Sequence, residues 1–383
     1  MSKFILRRLI RGVVALVLFQ SALFLLIHSI PYDFSSLTLG SPSYRRFIQH
    51  ELGLDLPLWE QYLRWFWGFV RLDLGVSYLF WPTSVSVILF SNVSRTLFLF
   101  LSGAISAYLF GIWLGKMAAW HHGRLLEAGA TLVGVAGYTS FAPFLGFLLI
   151  NIFARKLGWL PYQRLVDHNL WYNVPVAVDW LLGLLVVTGV IAAGLLAILW
   201  RATHRLRSVD LRGICRIGGV LVIGAGAWWA WSRSGRAYLA VDLLLHVALP
   251  LVTVVLLSFG ETMMLMRMSM LETMREEYVL TARAVGYPEK VIRDRHAARN
   301  AILPVITRLA LNLPFVLVGS LVIERVFLWT AMGHIIFSAI EFYDVPLLVG
   351  ILSVVGVLTL VAHVLLDVLY VYLDPRLRYA GGG

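Results

Sequence analysis

The sequence holds a single cysteine, Cys215, in 383 residues, which excludes an intrachain disulfide and a multi-cysteine metal site. Charged side chains are scarce as well. They make up 14% of the chain against 60% apolar residues, and the mean hydropathy is +0.81. A water-soluble protein of this length cannot cover its surface with so little polarity. Segments of about ten residues with alternating polarity are also missing, which removes an outer-membrane type of β-barrel. Nothing resembles a His-Glu-x-x-His metalloprotease helix or a Gly-x-Ser-x-Gly nucleophile turn. The run GIWLGKM, Gly111 to Met117, has the outline of a phosphate loop. It has three residues rather than four between its glycines, and Met117 stands where Ser or Thr is required. It reads instead as a small-xxx-small helix contact through Gly111 and Gly115.

What the chain does have is apolar runs of about 20 residues, each long enough to cross roughly 30 Å of hydrocarbon as a helix. They predict an all-α polytopic membrane protein with about eight spans, near 12–30, 96–119, 125–153, 180–200, 217–231, 246–270, 302–323 and 345–373. Residues 1–94 then form a first span and an external segment with a Trp-rich amphipathic stretch, Trp59 to Val70, suited to the membrane interface. Residues 95–383 form the main transmembrane domain, with a hairpin at about 178–232. The basic start and long apolar run after Lys3 read as a retained span rather than a cleaved leader.

The formal net charge of +11 invites a nucleic-acid reading. Its distribution argues against one, because most Lys and Arg fall in short loops on one side of the proposed spans, where they set orientation. That rule places both termini in the cytoplasm, with Cys215 as a reduced thiol in a basic cytoplasmic loop.

Single polar residues within the spans invite a role. Glu261 is the most costly of them, and two readings are open: it lines a solute path, or it bonds a neighbouring helix. Met263, Met264, Met266, Met268 and Met270 spread around the same helix as adaptable packing. Glu324 and Arg325, at the outer end of the seventh span, read as a surface pair or as a contact for an external partner. Asp367 reads as a buried structural acid, and His121-His122 as an interface feature rather than a metal site.

The most informative segment lies at about 271–303, between the sixth and seventh spans. From Glu276 to Pro304 it reads EEYVLTARAVGYPEKVIRDRHAARNAILP. Glu277 to Val285 suits a helix, Gly286 its C-terminal stop, and Pro288-Glu289 the first turn of a second short helix. A connector between spans needs only a few residues, so some thirty with helix caps suggest a docking surface. A solvated hairpin without a partner is the alternative.

The segment resembles the EAA-type cytoplasmic loop of permeases in ATP-binding-cassette importers, in the variant typical of the oligopeptide and dipeptide transport family. The match runs through Glu277-Tyr278-Val279, Thr281-Ala282-Arg283-Ala284 and Gly286. It resumes at Arg295-His296-Ala297, Arg299-Asn300-Ala301 and Leu303-Pro304. Similar patterns open the chain at Ile5 to Leu9, follow the third span at Leu157 to Pro161, and close it at Asp374-Pro375-Arg376. The resemblance implies the type I importer transmembrane fold: a six-span core, here with two extra spans at about 178–232. It implies coupling to ATPases through Glu277, Thr281, Ala282, Arg283, Ala284, Gly286, Lys290, Arg293, His296 and Asn300. It also implies a pathway for which Glu261 and Asn312 are candidates. The expected partners are a second homologous permease, two ATPase subunits that bind ATP and Mg²⁺, an external solute-binding protein, and membrane lipid. The chain itself needs no cofactor and has no catalytic residues. The family's Trp-Pro-Gly-like turn reads Trp329-Thr330-Ala331-Met332-Gly333 here, and Val285 stands where Lys is common. The rival classes are an ion-gradient-driven secondary transporter and a non-transporting membrane scaffold.

Overall fold

Apolar runs bounded by polar turns fold as long helices. The computed structural model describes residues 2–29, 56–203 and 209–373. Its elements are α1 (Ser2–His28), α2 (Leu58–Val70), α3 (Val85–Trp120), α4 (Leu125–Thr139), α5 (Ala142–Leu149) with a π-helical continuation (Ile150–Lys156), and α6 (His168–Trp171). After these come α7 (Val178–Thr203), α8 (Val209–Arg233), α9 (Ala237–Thr273), α10 (Glu277–Ala284), α11 (Glu289–Val291), α12 (Ala298–Val326), α13 (Met332–Glu341) and α14 (Val345–Leu373). Among the described residues the only β pairing is an isolated bridge, Val76 to Ser84. The all-α polytopic reading holds.

Six of these helices, α1, α3, α7, α8, α9 and α14, are long and apolar enough to cross a membrane, and α4 with α5 make a seventh crossing if counted together. The seventh expected span, at 302–323, corresponds to α12, 29 residues long, described only as backbone from 309 to 321. Several helices start earlier than the hydropathy reading has them: α8 begins at Val209 rather than near Ile217, and α9 at Ala237 rather than near His246. The second span begins at Val85 rather than near Thr96, since Ser86, Asn92 and Arg95 lower the hydropathy of a first stretch that is nonetheless helical. The third is bent by 112° between α4 and α5. Ser140 and Phe141 are extended there, and Pro143, with no N–H to give, opens the next helix.

The centre of the fold is α9 packed lengthwise against α3 and α4. Small residues let the backbones approach. A Cβ at Gly115 would lie 2.5 Å from the carbonyl oxygen of Met263, and one at Gly111 2.8 Å from that of Phe259. The small-xxx-small pair is thus a helix contact, as expected. Gly134 and Gly137 of α4 meet Gly260 and Leu256 of α9 in the same way.

One end of the bundle is closed by buried polar caps. Asp344 caps α14, accepting from the N–H of Leu347 at 3.1 Å, and also accepts from the N–H of Leu79 at 2.9 Å. Glu324 is fully buried: Thr96 Oγ1 donates to it at 2.9 Å and the N–H of Gly333 donates to its other oxygen. This corrects the surface reading of Glu324. The turn Trp329 to Gly333 folds back over the end of α12, and an acid beneath it satisfies its backbone. Arg325 alone is at the surface, 3.6 Å from Glu341. Asp367 lies where side chains are not described.

α2 is the expected amphipathic element. Trp59, Leu63 and Trp67, four residues apart, are exposed along one side. Tyr62 and Trp65 on the other side meet Phe24 of α1 at 5.3 and 5.6 Å.

Candidate functional site

The segment after α9 builds a knuckle from local rules. Glu277 stands in the first turn of α10, where the helix dipole favours an acid. Gly286 ends the helix with φ +86°, a conformation that costs other residues a strained backbone, although a Cβ there would meet nothing within 4 Å. Pro288 then caps α11. The bend is as the sequence predicts, but the second arm is not a separate short helix. From Glu289 the chain runs through α11 and a π turn, Ile292–Ala297, straight into α12. No Gly or Pro stands between Glu289 and Pro304 to stop it.

The knuckle has an exposed tip and a buried root. Thr281 and every residue from Arg283 to Lys290 are exposed, Ala284, Gly286 and Lys290 among them. Across the tip, Arg283 and Glu289 approach to 3.3 Å. Beneath it, Val279, Ala282, Ile292, Ala297 and Ala301 are buried together with Met266 and Met270 of α9 and Ala119 of α3. The methionine run serves partly as this bed.

Polar contacts fix the root as well. Lys116 of α3 lies 2.8 Å from Asp294. Arg293 donates to the same carboxylate at 3.0 and 2.9 Å, and its Nη1 lies 3.7 Å from the sulfur of Met117. Asp294 is held down to about 2, first by the hydrogen bond from Arg293 and then, against burial, by the hydrogen bond and charge of Lys116. Nearby, Asn300 donates to the Tyr278 hydroxyl at 2.9 Å, and the His296 and Tyr287 rings are 5.4 Å apart.

The ten residues expected to serve the loop therefore divide. Thr281, Arg283, Ala284, Gly286 and Lys290 share the tip, with Glu277 exposed at its near end. Ala282 and Arg293 face the spans, while His296 and Asn300 lie where the second arm becomes α12. Lys116 and Asp294 were missed by sequence reasoning. Far apart in the chain, they leave no local signal.

A second clamp acts one helix away. Glu127, at the start of α4, is buried and accepts from His122 Nδ1 at 3.0 Å, the N–H of Gly123 at 2.6 Å and Arg267 Nε at 2.7 Å. His122 is thus engaged by a carboxylate, and no group of three metal-binding side chains occurs among the described residues.

The pathway candidates lie elsewhere. Arg308 of α12 donates to Glu261 of α9 at 2.8 Å, so the acid does bond a neighbouring helix. Both remain partly open, with side-chain exposures of 52% for Arg308 and 30% for Glu261. Asn312 lies on α12 where side chains are not described.

The family model described as "Binding-protein-dependent transport system inner membrane component" matches residues 107–379, a stretch that takes in α9, the knuckle and α12. The chain belongs to this family. The companion N-terminal model, "Binding-prot-dependent transport system membrane comp, N-term", matches residues 1–78 of this inner membrane component. Similarity to curated relatives runs the full length. The dipeptide transport system permease protein DppB of Escherichia coli (strain K12) is 27% identical over 387 residues, covering 99% of both chains. The glutathione transport system permease protein GsiC of Escherichia coli O6:H1 is 26% identical over 382 residues, covering 99% of this chain and 100% of the relative. The oligopeptide transport system permease protein AppB of Bacillus subtilis (strain 168) is 25% identical over 382 residues, with the same coverage.

Proposed function

We propose that this chain is the transmembrane permease subunit of an ATP-driven importer of oligopeptides or dipeptides. In this reading it pairs with a second, homologous permease around a central pathway. Two ATP-binding-cassette subunits, which bind ATP and Mg²⁺, receive the tip from Arg283 to Lys290, and an external binding protein delivers the solute. The knuckle and both termini then lie in the cytoplasm.

The observation that carries this reading is the contrast between an exposed tip and a locked root. Force on the tip reaches α3 and α9 through Val279, Ala282 and Ile292 and through the Lys116–Asp294 pair. It enters α12 directly, because the second arm and that span are one continuous helix. Drawn together by ATP, the ATPases would rock these spans between inward-open and outward-open arrangements.

The gradient-driven rival would place paired acids or broken helices at mid-membrane; Glu261 is instead bonded to a base, Arg308, at 2.8 Å.

Gly286→Val tests the lever in the assembled importer. A β-branched residue at this φ costs roughly 1–2 kcal/mol, so coupled transport is expected to fall by about tenfold while the complex still co-purifies. An intact complex with unchanged uptake and stimulated hydrolysis overturns the lever. Uptake of labelled dipeptide into proteoliposomes separates the classes: it should require ATP, and uptake driven by an ion gradient alone overturns the importer reading.

A further inference from the structure

The hairpin of α7 and α8 has no task in the proposed transport cycle. Its outer end is fixed to the bundle. Arg95 donates to the two carboxylate oxygens of Asp179 at 2.6 and 2.9 Å, and Leu181 and Leu182 are buried. Beyond them no residue of α7 is buried until Thr203, and none of α8 from 211 to 233 is. Val190, Ile198, Leu221 and Val222 are each about two-thirds exposed or more. Apolar side chains on helices of this length, uncovered by protein, stand in lipid.

At the inner end the chemistry changes. Residues 201–216 carry Arg201, Arg205, Arg207, Arg212 and Arg216 against one acid, Asp210, and contain no lysine. Arg205 and Arg207 lie outside the described residues, so the site rests on the other three. Arg212 and Arg216 are one turn apart on the same side of α8. Arg216 is held in place, its guanidinium 3.8 Å from the Trp200 ring centre and its Nε donating to Thr203 Oγ1 at 3.1 Å. Trp200 is 60% exposed, as a residue at headgroup level is. Orientation in the membrane needs only positive charge, which lysine supplies equally. The guanidinium fork adds a planar match to two phosphate oxygens at once.

We propose that Arg201, Arg212 and Arg216, beside Trp200, form a binding site for the headgroup of an anionic phospholipid. Lipid is the occupant because the two helices that carry the site are apolar and uncovered. Acyl chains can lie along them beneath a phosphate held at their end, whereas a free anion would use the arginines alone.

The test is retention of phosphatidylglycerol against phosphatidylcholine, read by native mass spectrometry of the assembled complex. Wild type is compared with R201K/R212K/R216K and R201Q/R212Q/R216Q. Wild type is expected to keep phosphatidylglycerol preferentially. The lysine triple should lose several-fold of that preference, and the glutamine triple at least about tenfold, since each basic residue near an anionic surface contributes roughly fivefold. Loss of charge can turn a hairpin over, so the exposed Cys215 reports its side through an impermeant thiol reagent. The lysine triple keeps the charge and so separates guanidinium recognition from orientation. Equal retention of both lipids by wild type overturns the proposal. A lysine triple indistinguishable from wild type does so too, leaving only orientation charges. Displacement by millimolar inorganic phosphate with no lipid preference would make it a free-anion site instead, and also overturns it.

Discussion

At the scale of single residues, Asp294 decides how the knuckle is rooted. Its carboxyl is held at about 2, so its ion pairs are fully formed above the unfolded value near 4 and fade only as pH falls towards 2. Between pH 5.5 and 8 this contact contributes a constant amount, and co-purification with ATPase subunits should not titrate through it. Asp294→Asn imposes the acid state at every pH. Because the carboxylate is about one-third exposed, the expected loss is that of a surface pair, about 0.5–1 kcal/mol in thermal unfolding. Adding Lys116→Met to Asp294→Asn should cost little more than either change alone. Full additivity would show that the two side chains do not work as a pair. The sequence marks neither role, because a Lys at one span's end and an Asp far along the chain become partners only when the second arm of the knuckle packs on α3.

At the scale of elements, the crossing of α4 and α9 depends on the absence of side chains. A Cβ on Gly260 would run into the carbonyl oxygen of Gly134, both being helical backbone with little room to shift. Gly260→Ala should therefore destabilise the purified protein by about 2 kcal/mol, as overpacking does. Gly129→Ala, on the same helix as Gly134 but facing open space, should be neutral or slightly stabilising. Melting curves of the two variants check this, and equal midpoints would refute it. Much at this scale was legible beforehand: the apolar runs, the Gly286 stop, the Trp-rich interfacial helix and the Gly111–Gly115 contact all follow from local rules. The rest was not. Pro143 marks the bend between α4 and α5 only once the extended Ser140 and Phe141 are seen. The π turn that joins the knuckle to α12 has no sequence signature. Glu324 looks like a surface acid until the turn at Trp329 to Gly333 folds over it.

At the scale of the whole molecule, two of the helical faces exposed in the chain alone differ in what must cover them. Val190 on the hairpin is 66% exposed among aliphatic neighbours, which suits lipid. Arg308 is 52% exposed on α12, roughly 9 Å along the helix from Ile302, with Glu261 beside it. Glu261 stands out in the sequence by its cost in a span, whereas Arg308 is absorbed into the apolar run around it. A charged pair open to hydrocarbon is strongly disfavoured, so this face must meet water or a second subunit rather than lipid. Single cysteines in a C215A background tell the faces apart within the assembled importer. R308C should react with a charged, water-soluble thiol reagent about tenfold faster or more than V190C, since placing the reagent's charge in the bilayer costs roughly 2.5 kcal/mol or more. Slow reaction at Arg308 that persists with and without ATP would mean the partner covers it in every state and would remove it from the pathway. Equal, rapid reaction at Val190 would mean the hairpin stands in water and would overturn its placement in lipid.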